Sequence, residues 1–225
     1  MPNHIQNRLH IAGEETAAIV FDFIKGEKTL FDFNKVLPMP ESLGLDSYSS
    51  VEDSVKRSLR MPLHEHSLVA MLEAGSVENS KSPLGFDNKE WDMYIQTLQN
   101  VRLYGFMNWY QWSIKNWGTK WNAYQTEDKR NSSTEIFFQT AWNCPLPVIK
   151  KLSEEFTDAL IGIDYADEDS GSNCGKILYK AGKEVYCEQP ESQSKEAYEI
   201  YFELNPEDKG RFILVGDKYE YVEED

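Results

Sequence analysis

No stretch of about 18 consecutive apolar residues occurs in the chain, so nothing in it reads as a membrane-spanning helix. The first residues lack a basic run followed by an apolar one, which leaves a signal peptide unsupported. Cysteine is scarce. Cys144, Cys174 and Cys187 are odd in number, widely spaced and without a Cys-x-x-Cys pair, a pattern of free thiols in a reducing cytoplasm. Neither Gly-x-x-x-x-Gly-Lys nor a Gly-x-Gly-x-x-Gly following a strand is present, and no cofactor is expected. The Gly-x-Ser-x-Gly elbow is missing too, which weakens an ordinary hydrolase reading. Positive charge is also short: 23 Lys and Arg face 38 Asp and Glu, for a net charge of −15.

That imbalance is uneven. Residues 154–225 hold 20 acids against 7 bases, while residues 1–153 hold 18 against 16. Such a field repels nucleic acid and anionic membrane at long range. It serves solubility, or it meets a partner protein with a basic surface. At 225 residues, 40% hydrophobic and 13% aromatic, the chain can bury a real core in one domain or two small ones.

Hydrophobic period places the elements. His4 to Ile11 alternates as a half-buried strand does, and Glu14 to Lys25 spaces Ala17, Ala18, Phe21 and Ile24 at helical intervals. Residues 53–117 read as helical, broken at Pro62 and by a turn-rich linker from Gly75 to Gly85, and ending at Gly118. Strands follow at Trp121–Gln125 and Glu135–Trp142, and Pro145 and Pro147 open a helix over Val148–Phe156. Another strand covers Ala159–Tyr165, and Cys174–Tyr179 with Lys183–Cys187 form a hairpin turned at Ala181-Gly182. A short helix over Lys195–Leu204 and a terminal strand pair complete the chain. Without the helical segment this is the split βαβ order of a ferredoxin-like sandwich, an α+β fold with a helical insertion and extra C-terminal strands. The expected boundaries are 1–190 for that domain, with the insertion at about 50–117, and 191–225 for an acidic C-terminal extension packed on it.

Several ordered motifs carry a resemblance. They are Met1-Pro2-Asn3-His4, Phe33-Asn34-Lys35-Val36-Leu37-Pro38-Met39-Pro40, Asn116-Trp117-Gly118-Thr119-Lys120-Trp121-Asn122-Ala123, Phe138-Gln139-Thr140-Ala141-Trp142 and Tyr165-Ala166-Asp167-Glu168-Asp169-Ser170-Gly171. Over roughly residues 1–190 the chain resembles the YubB-type ferredoxin-like family of phages, plasmids and integrated elements. The resemblance implies a ferredoxin-like domain and a mobile-element origin. It supplies no activity and no catalytic residues.

Chemistry-bearing clusters are few. His64-Glu65-His66 lacks the i, i+4 histidine spacing of a helical zinc site, so no metal ligand is assigned. Asp164, Asp167, Glu168 and Asp169 form an acidic loop without EF-hand spacing; it is a solvated turn or a weak site for a hard cation. Four of six tryptophans fall between Trp109 and Trp121. They form a core junction or a stacking platform for bases, with Lys115, Lys120, Lys129 and Arg130 nearby. Core packing is the stronger reading, with Trp117, Trp121 and Trp142 mostly buried. The candidate binding residues are Asp167, Glu168 and Asp169 in the loop, and Trp112, Asn116, Lys120, Asn122 and Tyr124 in the aromatic run; no catalytic residue is assigned. The leading expectation is a non-enzymatic interaction protein that engages a basic host or element protein, as a DNA mimic or anti-defence inhibitor. A single-stranded nucleic-acid module with an aromatic sheet face comes second, and an enzyme with an acidic divalent-metal loop third.

Overall fold

The computed structural model of the chain describes residues 3–45, 48–60 and 86–222. In chain order the elements are β1 (His4–Ile11), α1 (Glu14–Ile24), α2 (Ser49–Ser58), α3 (Asn88–Tyr104), α4 (Trp109–Asn116), β2 (Glu135–Ala141), α5 (Leu146–Glu155), β3 (Leu160–Asp167), β4 (Gly175–Lys180), β5 (Lys183–Glu188), α6 (Lys195–Leu204), β6 (Phe212–Val215) and β7 (Lys218–Tyr221). They divide into two compact units, Met1–Pro38 with Ser113–Asp225, and Met39–Trp112. His64 and His66, and the break at Pro62, lie outside the described residues.

The first unit is built around β1. Its alternating sequence buries Ile5, Asn7, Leu9 and Ile11 and leaves the residues between half-exposed. β1 pairs antiparallel with β2 on one side and β3 on the other. β2 and β3 are therefore parallel to each other, joined through α5, with β1 inserted between them: the split βαβ unit. β4 and β5 extend the sheet, giving the order β2-β1-β3-β4-β5. The hairpin between them turns at Ala181 and Gly182, both left-handed at φ 48° and 74°, as a two-residue type I′ turn requires.

One sheet face carries α1 and α5, where Phe23 meets the Phe156 ring at 5.3 Å. Phe31 and Phe33 pack edge-on against Phe138 of β2 on that side. α6 covers the other face. Its Ala197, Tyr198, Tyr201 and Phe202 share a core with Phe137 and Ala166, and Phe212 and Tyr219 of the separate β6–β7 ribbon pack against it.

Residues 121–125, expected as a strand, do not form one. Only Tyr124 bridges to Gln139 of β2. Local side-chain bonding competes with a ladder here: Asn122 Oδ1 accepts the N–H groups of Phe33 and Ala123, both at 2.9 Å, and Gln125 turns left-handed at φ 50°.

In the second unit α2 packs on α3 through Val51, Val55, Met93 and Tyr94. Asp87 and Glu90 close a capping box at the start of α3. Asn100 is buried but satisfied, donating to the Ser42 carbonyl and accepting from the Ser42 hydroxyl, both at 2.7 Å. The continuous helix expected to run on to Trp117 is broken at Gly105, whose φ of 81° ends α3 in a left-handed cap. Among the described residues no helix is long and apolar enough to cross a membrane.

Candidate functional site

Several segments far apart in sequence meet where β1 begins and β2 and β3 end. Pairing opposes His4 to Ala141 and Ile5 to Asp167. The Trp142 N–H donates to the Asn3 carbonyl at 3.0 Å, and the Glu168 N–H to the His4 carbonyl at 2.9 Å. Asn3 Nδ2 donates to Asp167 Oδ1 at 3.2 Å. Thr119 ties the tryptophan segment to the same end. Its hydroxyl donates to the Ala141 carbonyl at 2.6 Å and accepts the Ala141 N–H at 3.1 Å.

Tyr124 completes the junction. Its O–H donates to the Thr140 carbonyl at 3.1 Å, which leaves its oxygen to accept the His4 Nδ1–H at 2.5 Å. Burial, with the Glu168 charge added, pushes the Tyr124 phenol up to about 12, so it stays a donor at neutral pH. Beside it Lys120 Nζ stands 4.7 Å from the Trp121 ring centre and 4.8 Å from that of Trp142, in cation–π contact with both.

These segments border a pocket of about 260 Å³ lined by His4, Gln6, Gln125, Gln139, Ala166, Asp167, Glu168 and Asn205. Two of the expected binding residues, Asp167 and Glu168, line it directly, and Tyr124 supports its His4 wall. Asp169 is exposed on the turn beyond, its N–H held by Asp167 Oδ1 at 3.0 Å. Lys120 lies in the tryptophan clamp rather than on the pocket wall.

Asn122 is structural, its Nδ2 donating to Asp32 at 2.6 Å, and Asn116 is half-buried at the end of α4. Trp112 is buried and falls within the other unit. Asp167 is not the solvated loop acid expected; it is 6% exposed, because it is the last residue of β3 and anchors both Asn3 and the following turn. Trp117 is buried as expected, but Trp121 and Trp142 are only half-buried, flanking the half-buried Lys120 and not filling the core. Sequence reasoning did not single out His4, Gln6, Gln139 or Asn205. The polar positions of β1 gave a partial signal, but the register that sets Gln6 opposite Gln139 is not local.

Further along the same sheet face lies an ion cluster. Asp164, 4% exposed, accepts from Arg8 Nε at 2.9 Å and from Arg8 Nη2, with His10 Nε2 at 3.5 Å. Glu203 of α6 takes Lys176 Nζ at 2.7 Å and lies 3.5 Å from Arg8. Burial pushes the Asp164 carboxyl up, but hydrogen bonds and charge from His10 and Arg8 outweigh it and hold the group below the usual carboxylate range. The thiols are not activated. Burial pushes Cys144 well above its ordinary value and Cys174 up to about 12.

Residues 120–207 match the family model for the ferredoxin-like domain in Api92-like protein. The matched stretch begins at Lys120 of the clamp and runs through β2–β5 and α6. The chain is α+β, with a ferredoxin-like domain of five antiparallel strands and an added C-terminal strand pair. It is also similar to the crystal structure of a protein api92 from Yersinia pseudotuberculosis, at 15% identity and a TM-score of 0.44 over 84% of this chain and 98% of that one. No curated protein matches the chain.

Proposed function

We propose that the protein is a non-enzymatic docking protein whose acidic final third engages a partner protein with a basic surface. The observation that carries this reading is the β6–β7 ribbon. Ile213, Leu214, Val215 and Tyr221 stand out from it, between 46% and 61% exposed, while Phe212 and Tyr219 root it on α6. By the ribbon's register Leu214 and Tyr221 lie beside the rooted Phe212 and Tyr219, and Ile213 and Val215 lie on the opposite face. Exposed apolar side chains on both faces of so short a ribbon mark an interaction surface. Asp217 and Glu220 on the ribbon, Glu207 before it and Glu199 on α6 are all exposed acids. Lys209, Arg211 and Lys218 are exposed among them, Arg211 paired with Asp208. An apolar centre with a charged rim is the anatomy of a protein interface, and the acidic excess of residues 154–225 selects a basic partner and steers its approach. β5 also exposes Val185 and Tyr186, but its register shift against β4 and Lys183 blunt that edge.

The motif resemblance adds a setting, the host cytoplasm of a phage, plasmid or integrated element, and the three free cysteines suit a reducing compartment. There, an acidic surface laid over the nucleic-acid-binding face of a host or element protein acts as a DNA mimic and inhibits it. Direct nucleic-acid binding runs against the net charge of −15.

With a partner purified, the on-rate should fall roughly tenfold or more between low and physiological salt. Leu214→Asp should weaken binding roughly thirtyfold, as losing a hot-spot residue of about 2 kcal/mol does. Its melting temperature should hold, because the side chain is exposed. Lysines at Glu207, Asp217 and Glu220 should slow capture. Unchanged binding by these variants would reduce the acidity to solubility. Retention of single-stranded nucleic acid, lost on replacing Tyr124, would instead favour the aromatic reading.

A further inference from the structure

The pocket beside His4 has an excess of hydrogen-bond acceptors. Three of its neutral side chains spend N–H groups elsewhere, and Gln125 and Gln139 can turn their amide oxygens toward the space. His4 Nδ1–H goes to Tyr124, which leaves Nε2 as an acceptor in the neutral ring. The Gln6 amide N–H groups reach the Asn7 and Phe138 carbonyls at 3.4 Å, and Asn205 Nδ2 reaches the Tyr201 carbonyl at 3.2 Å. Gln6 Oε1 and Asn205 Oδ1 are left to accept.

Two carboxylates add to this. Asp167 is 6% exposed, its Oδ1 holds Asn3 Nδ2 and the Asp169 N–H, and its Oδ2 takes no hydrogen bond from any described residue. Glu168 is exposed at the rim. Asn205 caps the C-terminal end of α6, where the helix dipole is negative. No Lys or Arg lines the pocket. A metal ion does not suit this lining, since among the described residues no three His, Cys, Asp or Glu are grouped to hold one.

We propose that this pocket binds a guanidinium group. Guanidinium is planar, permanently charged and offers five N–H donors in a fixed fork with no acceptor, the complement of a lining of carboxylates, amide oxygens and an imidazole nitrogen. The pocket, at about 260 Å³, has room for the head and the start of its alkyl stem. The group comes either from a free small molecule or from an arginine side chain on a bound protein. The pocket stands on its own lining and does not depend on the ribbon.

The test is a titration of the purified protein with N-acetyl-arginine amide, followed by two-dimensional NMR of the glutamine and asparagine side-chain amides. N-methylurea, a neutral planar analogue, is the control. Saturable shifts at Gln6, Gln139 and Asn205 are expected with the arginine probe and none with the urea. Glu168→Gln should weaken binding about tenfold, the loss of one charge-assisted hydrogen bond. Asp167→Asn should do the same while keeping an oxygen for Asn3 and Asp169, and an unchanged amide spectrum elsewhere shows that it folds. Equal response to the neutral analogue, or no saturable shift with the probe, overturns the proposal. With a partner purified, Glu168→Gln separates the two sources. Weakened capture assigns the guanidinium to the partner's arginine, and unchanged capture with persistent probe binding assigns it to a free ligand.

Discussion

Replacing Trp117 by Ala should cost about 3–5 kcal/mol, the range for truncating a large buried aromatic. Trp117 is 3% exposed, packs edge-on to Phe33 at 5.7 Å, and donates its indole N–H to the Leu37 carbonyl at 2.9 Å. The substitution opens a cavity and strands that carbonyl, and the two losses add. At about 2–4 °C per kcal/mol for a chain of this size, the melting temperature should fall by roughly 10 °C. Trp121→Ala is the internal comparison. Trp121 is half-buried, and its contacts are with Lys120 and Tyr124, so its loss should cost only about 1–2 kcal/mol. Equal losses at the two positions, measured by thermal or urea unfolding, would mean that the burial difference does not govern the cluster.

Asp164→Ala is the second large effect, at about 2–3 kcal/mol. Removing one partner of a buried pair usually costs about 3–5 kcal/mol because a charge is left unpaired. Here Arg8 is 24% exposed by its side chain and has Glu203 at 3.5 Å as a second partner, which lowers the figure. The pH dependence has a definite sign. The folded-state pKa of Asp164 is depressed, so the unfolded chain binds the proton more readily. The stabilisation is fully present above the unfolded value near 4 and is lost as pH falls through the lower folded value. The groups around the carboxylate are Arg8 and His10 from β1 and Lys176 directly opposite on β4, with Glu203 of α6 reaching both Arg8 and Lys176 and the Cys144 thiol and Tyr186 phenol within electrostatic range. The gap between wild type and Asp164→Ala should therefore be wide at neutral pH and close on acidification below 4. A gap that stayed the same in acid would assign the loss to packing and not to charge.

The parts of the fold written in local pattern were legible. The alternation of β1, the helical spacing of α1, the prolines before α5 and the Ala181-Gly182 turn each reflect a rule that acts within a few residues. Misread stretches were those where a distant partner decides. Trp121–Gln125 has strand-like composition, yet Asn122 is bound to Asp32 and Phe33, about ninety residues away in sequence, and the ladder is lost. The helical pattern over 53–117 runs through Gly105, although a left-handed cap there ends α3. The site was legible only in pieces. Asp167 and Glu168 stood out as acids, but the amides that complete the pocket come from β1, β2 and the end of α6, and only the sheet register brings them together. Asp167 looked like a loop acid because its burial depends on Asn3, at the other end of the domain sequence.

The docking account is tested most directly by photo-crosslinking from two exposed apolar positions, one at a time, in cells of the host. Leu214 lies on the ribbon, which is rooted on α6, and Ile19 lies on α1, across the sheet. The account predicts adducts from position 214 with a protein carrying a basic surface, diminishing when the irradiation is repeated in lysate at raised salt, and none from position 19. Equal adducts from both positions, or adducts from 214 with nucleic acid alone, would contradict it.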